Sequence, residues 1–219
     1  YLAKLTHLAL DDCHIDKIIN LQYCTGLRVL YLYKNNIEKM EGIHSAHLIQ
    51  LYLQNNCIKK IEGLESLVNL QKLYLDNNCI ERVEGLETLT QLEELHISHQ
   101  KLEESQCMTF DENSMTMIAR SLTILNASNC NIEDVEPLAY LTAIRKLALN
   151  KNRISSLESV TLVLSHCSRL VEIDLSMNPI VKIPKYRDHV ITCANMTLEI
   201  LDQTDISPNE RMFLKNLEM

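Results

Sequence analysis

Apolar residues recur along this chain in a fixed figure. It is plainest in Leu70-Gln-Lys-Leu-Tyr-Leu-Asp-Asn-Asn-Cys-Ile80, where Leu70, Leu73, Leu75 and Ile80 are apolar and Asn78 stands between the last two. The stretch Leu48-Ile-Gln-Leu-Tyr-Leu-Gln-Asn-Asn-Cys-Ile58 repeats it almost letter for letter. The figure predicts a short strand with Leu73 and Leu75 facing inward, left through a turn at Asn78. Other starts fall at Leu5, Leu27 and Leu92, so the first five are spaced by 22, 21, 22 and 22 residues. Units this short cannot bury their own apolar side, and a chain built of them must stack them into a solenoid.

The figure is the leucine-rich-repeat signature, and it predicts an α/β solenoid: a horseshoe with a concave parallel sheet, about eight repeats and a C-terminal cap. After each strand, residues such as Val83, Leu86 and Leu89 return the chain along the convex side and fill the rest of the coil. Asn35, Asn56, Asn78, Asn152 and Asn178 fall at the turn leaving the strand, where each amide is expected to bond the main chain of the next coil. Glu41-Gly42-Ile43, Glu62-Gly63-Leu64 and Glu84-Gly85-Leu86 hold three of the four glycines, and Glu136-Pro137-Leu138 takes their place in repeat six. A position filled by Gly or Pro is a backbone turn rather than a phosphate cradle.

The rhythm breaks once, since the start after Leu92 is Leu122, a gap of 30 residues. The insertion, about 103–121, contains a segment after Phe110 that reads as a helix with Asp111 as its N-cap. Repeats six to eight begin at Leu122, Ile144 and Leu170, and Ser159–Ser168 is apolar and long enough for a helical return. The array with its cap takes residues 1–204, ending in Leu198-Glu-Ile-Leu201-Asp202. A C-terminal helix starts within 205–219: Ser207 is its N-cap, Pro208 its first residue, Glu210 completes a capping box, and Met212, Phe213 and Leu217 are its apolar residues.

Net charge is −8 and the pI about 5.5, which argues against nonspecific contact with nucleic acid or an anionic membrane. No apolar run approaches the roughly 20 residues of a membrane span. The eight cysteines show no C-x-x-C pair and no disulfide framework. Cys13 and Cys130 stand at the Asn site of their repeats, where a buried thiol is expected, and the compartment implied is reducing and cytosolic. The chain opens on Tyr1 rather than Met, as a fragment does.

Stacked strands bring equivalent residues into columns. The residue between the last two strand leucines runs Ala9, Tyr31, Tyr52, Tyr74, His96, Asn126, Ala148, Asp174. With Tyr33 beside the first, four of the eight tyrosines fall on one concave patch, next to Lys72 and Glu94. Tyrosine combines area, few rotors and a polar tip, so Tyr31, Tyr33, Tyr52, Tyr74, Lys72, Glu94 and His96 form the candidate partner-binding face. Tyrosine also stacks well on neighbouring strands, so a structural role competes with the binding role. The run Glu93, Glu94, Glu103, Glu104 is either an orienting charge for a basic partner or a solvated face. His44 with His47 and His96 with His99 have three-residue spacing, but no recognised ligand pattern surrounds them. No catalytic or cofactor motif is visible, so an enzyme is not expected.

The repeated Ile/Val-Glu-Gly-Leu resembles the Sds22-like class of leucine-rich repeats. Leu51-Tyr-Leu-Gln-Asn-Asn-Cys-Ile58, Leu92-Glu-Glu-Leu-His96, the insertion with Phe110-Asp111, and Lys185-Tyr-Arg-Asp188 resemble the regulatory subunits of protein phosphatase 1 within it. That resemblance implies a noncatalytic protein at microtubules, centrosome, cilium or flagellum that binds the phosphatase catalytic subunit. The basic-Val-x-Phe docking motif usual for such subunits is missing, since neither Phe110 nor Phe213 sits in one. Two alternatives stand beside this one: a purely structural axonemal protein, and a ribonucleoprotein scaffold that touches an RNA-binding protein rather than RNA.

Overall fold

A computed structural model describes residues 2–217. One strand leaves each coil: β1 (His7–Ala9), β2 (Val29–Tyr31), β3 (Gln50–Tyr52) and β4 (Lys72–Tyr74) in the first four coils. After a flanking strand β5 (Arg82–Val83) come β6 (Glu94–His96) and, in the insertion, β7 (Thr109–Phe110). The series continues with β8 (Ile124–Asn126), β9 (Lys146–Ala148), β10 (Glu172–Asp174), β11 (Ile200–Leu201) and β12 (Thr204–Asp205). The sheet order is β1-β2-β3-β4-β6-β8-β9-β10-β11-β12, parallel throughout except for the closing β11–β12 hairpin. Registers follow the repeat: Leu30, Leu51, Leu73, Leu95, Leu125, Leu147 and Ile173 stand opposite one another. All are buried, and with the convex residues they make one continuous aliphatic column.

The turn leaving each strand is held in two ways. Asp12, Lys34, Asn55, Asn77, His99, Asn129, Lys151 and Met177 form a row with φ between 54° and 60°, so every described coil turns through a left-handed residue. The next residue points into the core. Asn78 Oδ1 accepts from Ile58 N–H at 3.0 Å, while its Nδ2 donates to Leu53 O at 3.0 Å and Leu75 O at 2.9 Å. Asn35, Asn56, Asn152 and Asn178 do the same. The bonds run to the preceding coil, not the next one, because the amide lies inside its own turn and faces the carbonyls already laid down. Gln100 takes the same place in the fifth coil, accepting from Ile80 N–H at 2.9 Å and donating to Leu75 O at 2.9 Å. In the sixth, Cys130 Sγ reaches Ile97 O at 3.3 Å. Cys13 is exposed rather than buried, since the first coil has no described coil in front of it.

Gly42 shows why the return needs glycine. Its φ is +87°, and a Cβ there would lie 2.2 Å from Ile18 O of the coil before. Where Pro137 replaces glycine, the chain takes a 3₁₀ turn, Glu136–Tyr140, instead.

The insertion packs on the convex side. β7 pairs with β5, and helix α1 (Glu112–Ile118) follows, its N-cap Asp111 accepting from Ser114 N–H at 3.0 Å. Arg82 Nη2 lies 2.7 Å from Asp111 Oδ1, and Ser114 Oγ donates to Glu87 at 2.7 Å. Met108, Phe110, Met115 and Ile118 are buried, so this longer loop is the convex half of the fifth coil. Helix α2 (Leu157–His166), capped by Ser156, supplies the same half in the seventh, starting two residues before Ser159.

The cap is helix α3 (Tyr186–Cys193), the β11–β12 hairpin and helix α4 (Pro208–Leu217). Ser207 Oγ accepts from Glu210 N–H at 3.1 Å, as the capping box predicts. Arg187, with the Ser207 backbone N–H in a lesser part, holds the Glu210 carboxyl below its ordinary range. Met212 and Phe213 are 61% and 63% exposed; the inward residues are Leu214 and Arg211. The helix is turned this way because the Arg211 guanidinium bonds the carbonyls of Ile191 and Leu198. The Leu217 side chain and anything beyond lie outside the described residues.

Two substitutions test the turn. Asn78→Ala leaves Ile58 N–H buried without its acceptor, at about 1–3 kcal/mol, while Leu53 C=O keeps its bond from Asn56, and the denaturant midpoint should fall accordingly. Met177 is 67% exposed, and Met177→Asn relieves a left-handed backbone for little lost contact. It should gain about 0.5–1 kcal/mol, seen as a Tm rise of about 1–4 °C.

Candidate protein-binding face

The strand register makes one column of Tyr31, Tyr52, Tyr74 and His96 on the concave sheet. Strand spacing is close to the thickness at which flat rings meet, so the side chains stack face on face. Ring centroids lie 4.8 Å apart for Tyr31–Tyr52, 4.6 Å for Tyr52–Tyr74 and 4.7 Å for Tyr74–His96, with interplanar angles of 21°, 4° and 19°. Tyr33 meets Tyr31 edge-on at 6.5 Å. All seven residues singled out in the sequence are half-buried, and each belongs to this stack or its border. The faces of the rings are largely used by each other. Ring edges and hydroxyls are what the hollow presents.

The border is ordered by charge. Lys72 Nζ lies 2.8 Å from Glu94 Oε1, while Tyr74 donates its hydroxyl to Glu94 Oε2 at 3.1 Å. His96 Nε2 stands 3.8 Å from the same carboxylate. Tyr52 donates to Gln50 Oε1 at 2.9 Å. Burial alone would raise the Glu94 carboxyl, but the bonds from Lys72 and Tyr74 outweigh it and leave it below the usual range. The Tyr74 hydroxyl is pushed well up, first by burial and then by the Glu94 charge, so it stays a donor at neutral pH. The Lys72 ammonium is held up by its bond to Glu94, which exceeds the effect of burial.

The four glutamates do not form one cluster. Glu94 is on β6, whereas Glu103 and Glu104 lie in the loop beyond the turn. There the Glu103 carbonyl accepts from Asn131 at 3.2 Å and the Glu104 carbonyl from Arg153 at 2.7 Å. Between the end of β6 at His96 and Glu103 the chain passes through the left-handed turn at His99. His96 stacks on Tyr74, while His99 occupies the left-handed row, and its Nδ1 lies 3.0 Å from Ser98 Oγ. Among the described residues no group of three or more His, Cys, Asp or Glu is placed to hold a metal. No helix among them is long and apolar enough to cross a membrane.

The family pattern described as Leucine Rich repeats (2 copies) matches residues 46–88, 68–106 and 120–161. Those residues carry leucine-rich repeats, and the fold is a leucine-rich-repeat solenoid. Among solved structures, an internalin (inlF) from Listeria monocytogenes aligns at TM-score 0.69 and 22% identity, over 91% of this chain and 61% of its own. A leucine-rich-repeat protein of Leptospira interrogans aligns at 0.62 and 21%, over 81% of this chain and 43% of its own. Internalin C2 of Listeria monocytogenes aligns at 0.58 and 24%, over 80% and 82%. The chain thus spans less than two thirds of the first two, and at these identities the likeness is one of fold.

Glu94 gives the face a signature in acid. Its folded pKa is depressed, so its contribution to stability is present above the ordinary carboxylate value, near about 4.3. That contribution is lost as pH falls through the depressed folded value. The Tm of the wild type should therefore drop more steeply below about pH 4 than that of Glu94→Gln, in parallel calorimetric scans.

Proposed function

We propose that this leucine-rich-repeat protein is a noncatalytic interaction scaffold that binds a protein partner on its concave face. The observation that carries the reading is the Tyr31–Tyr52–Tyr74–His96 stack, fixed by strand register and open to the hollow. A preformed aromatic strip loses little conformational freedom on binding, which favours affinity. The insertion supports the reading by packing on Arg82 and Glu87 of the convex side, leaving the hollow clear.

The partner in this proposal is the catalytic subunit of protein phosphatase 1, with the complex at microtubules, centrosome or a cilium or flagellum in the cytoplasm. Support comes from sequence: the stretches quoted above resemble the testis leucine-rich-repeat regulatory subunit of that phosphatase. Neither Phe110 nor Phe213 sits in a Val-x-Phe anchor, and in this proposal the concave strip carries the contact.

The test is calorimetric titration of the catalytic subunit into the wild type and into Tyr52→Ala/Tyr74→Ala, with thermal scans to show that both fold. Residues at the centre of an interface cost about 2 kcal/mol or more on truncation, so affinity should fall at least about 30-fold. A convex-side control, Tyr140→Ala, should bind as the wild type does. Equal affinity for all three chains removes the concave strip from the account. No binding by the wild type removes the phosphatase and leaves axonemal or ribonucleoprotein partners to be tried on the same strip.

A further inference from the structure

Outside the hollow, the residue after each buried Asn or its substitute forms a second row along the rim. It runs His14, Asn36, Cys57, Cys79, Lys101, Asn131, Arg153, Pro179, so two consecutive rungs carry cysteine. Main-chain bonds lock these rungs together. Cys79 N–H donates to Ile58 O at 2.8 Å, and Asn78 Oδ1 accepts from Ile58 N–H at 3.0 Å. Residues 57–58 are thereby sandwiched against 78–79, coil on coil. Rungs repeating at about 4.8 Å fall inside the Cα window of about 4.4–6.8 Å that a disulfide requires. Equivalent residues also project their Cβ atoms in parallel, so closing the bond asks for an approach of about 1 Å rather than a refolding.

Of the other six cysteines, Cys13 is exposed, Cys107 and Cys193 are half-buried, and three lie inside the protein. Cys24, Cys130 and Cys167 are buried, and burial pushes the thiols of Cys130 and Cys167 up to about 12, where they stay protonated. Cys57 is exposed and Cys79 half-buried. One rung further, Lys101 reaches back to the third coil, its Nζ lying 3.5 Å from Asn56 O, the carbonyl that precedes Cys57. An ammonium is thus seated near Cys57, where it attracts an anionic reagent.

We propose that Cys57 and Cys79 are a reactive dithiol that a low-molecular-weight anionic disulfide, glutathione disulfide, converts to an intrachain bridge between the third and fourth coils. The Cys57 thiolate attacks one sulfur of glutathione disulfide, forming a mixed disulfide and releasing one glutathione thiolate. The Cys79 thiolate then attacks Cys57 Sγ, and the second glutathione leaves. Both thiol protons end on the two glutathiones, so two protein thiols are oxidised and one disulfide is reduced. An exposed bridge that must draw its coils together is the exchangeable kind, reversed by excess thiol. It would clamp the coils that carry Tyr52 and Tyr74.

The experiment exposes the reduced full chain to glutathione disulfide at mildly alkaline pH, with free-thiol counting and peptide mass mapping. The expected result is loss of two thiols and a linked pair of peptides holding Cys57 and Cys79, two hydrogens lighter than the sum. Cys79→Ser should stop at a glutathione adduct on Cys57, with an unchanged Tm before oxidation. Stable adducts on both cysteines of the wild type, or a link from Cys57 to any other cysteine, would overturn the assignment.

Discussion

From the second coil to the eighth, each described coil is fastened to the one before it by a side chain buried in the turn. The amides of Asn35, Asn56, Asn78, Gln100, Asn152 and Asn178 each satisfy main-chain groups of two coils at once. A polar group left unpaired in that aliphatic column would cost more than the bond itself contributes. Because each coil touches only its neighbours, the column is only as cooperative as its weakest junction. The side-chain tie is weakest in kind between the fifth and sixth coils, where Cys130 offers a thiol donor in place of an amide. The insertion falls at this place and bonds across it. Met108 N–H donates to Cys130 O, and Asn131 donates to the carbonyls of Glu103 and Gln106.

Much of this was written in the spacing. Starts about 22 residues apart with inward leucines define the strand register, since a one-residue slip would expose every core side chain. The Asp111 and Ser207 caps were equally plain, because a short polar acceptor before a helix has few other uses. Gln100 was not legible in the same way: its extra methylene breaks the Asn pattern on paper, while in the fold the amide reaches the same carbonyls. Helix α4 was legible as a helix with Met212 and Phe213 among its apolar residues, but not in the face that it buries. Its rotation is set by Arg211, whose guanidinium answers carbonyls of Ile191 and Leu198 that lie far away in the chain. The seven residues of the candidate face were legible as columns, but the stacking of their rings depends on rotamers that spacing does not specify.

The two surfaces of the solenoid divide the labour. The convex side absorbs variation, with 3₁₀ turns in some coils, helices α1 and α2 in others, and Gly42, Gly63 or Gly85 where the chain passes closest to its neighbour. The concave side is uniform in backbone and differs only in the residues it shows. Several residues that carry the family resemblance serve the fold. Phe110 is buried, Asp111 caps α1, and Arg187 joins Glu210 to the cap. Likeness at those positions speaks for architecture, and in the function proposed here partner choice rests on the strip from Tyr31 to His96.

That division is open to one direct measurement: oxidative footprinting of tyrosine side chains in the free chain and in native complexes recovered from cells. Tyr31, Tyr33, Tyr52 and Tyr74 should lose reactivity on assembly, while Tyr23 and Tyr140, exposed at 61% and 45% elsewhere on the molecule, keep theirs. Protection of Tyr23 or Tyr140 with the concave four unchanged would place the partner on another surface and contradict the account.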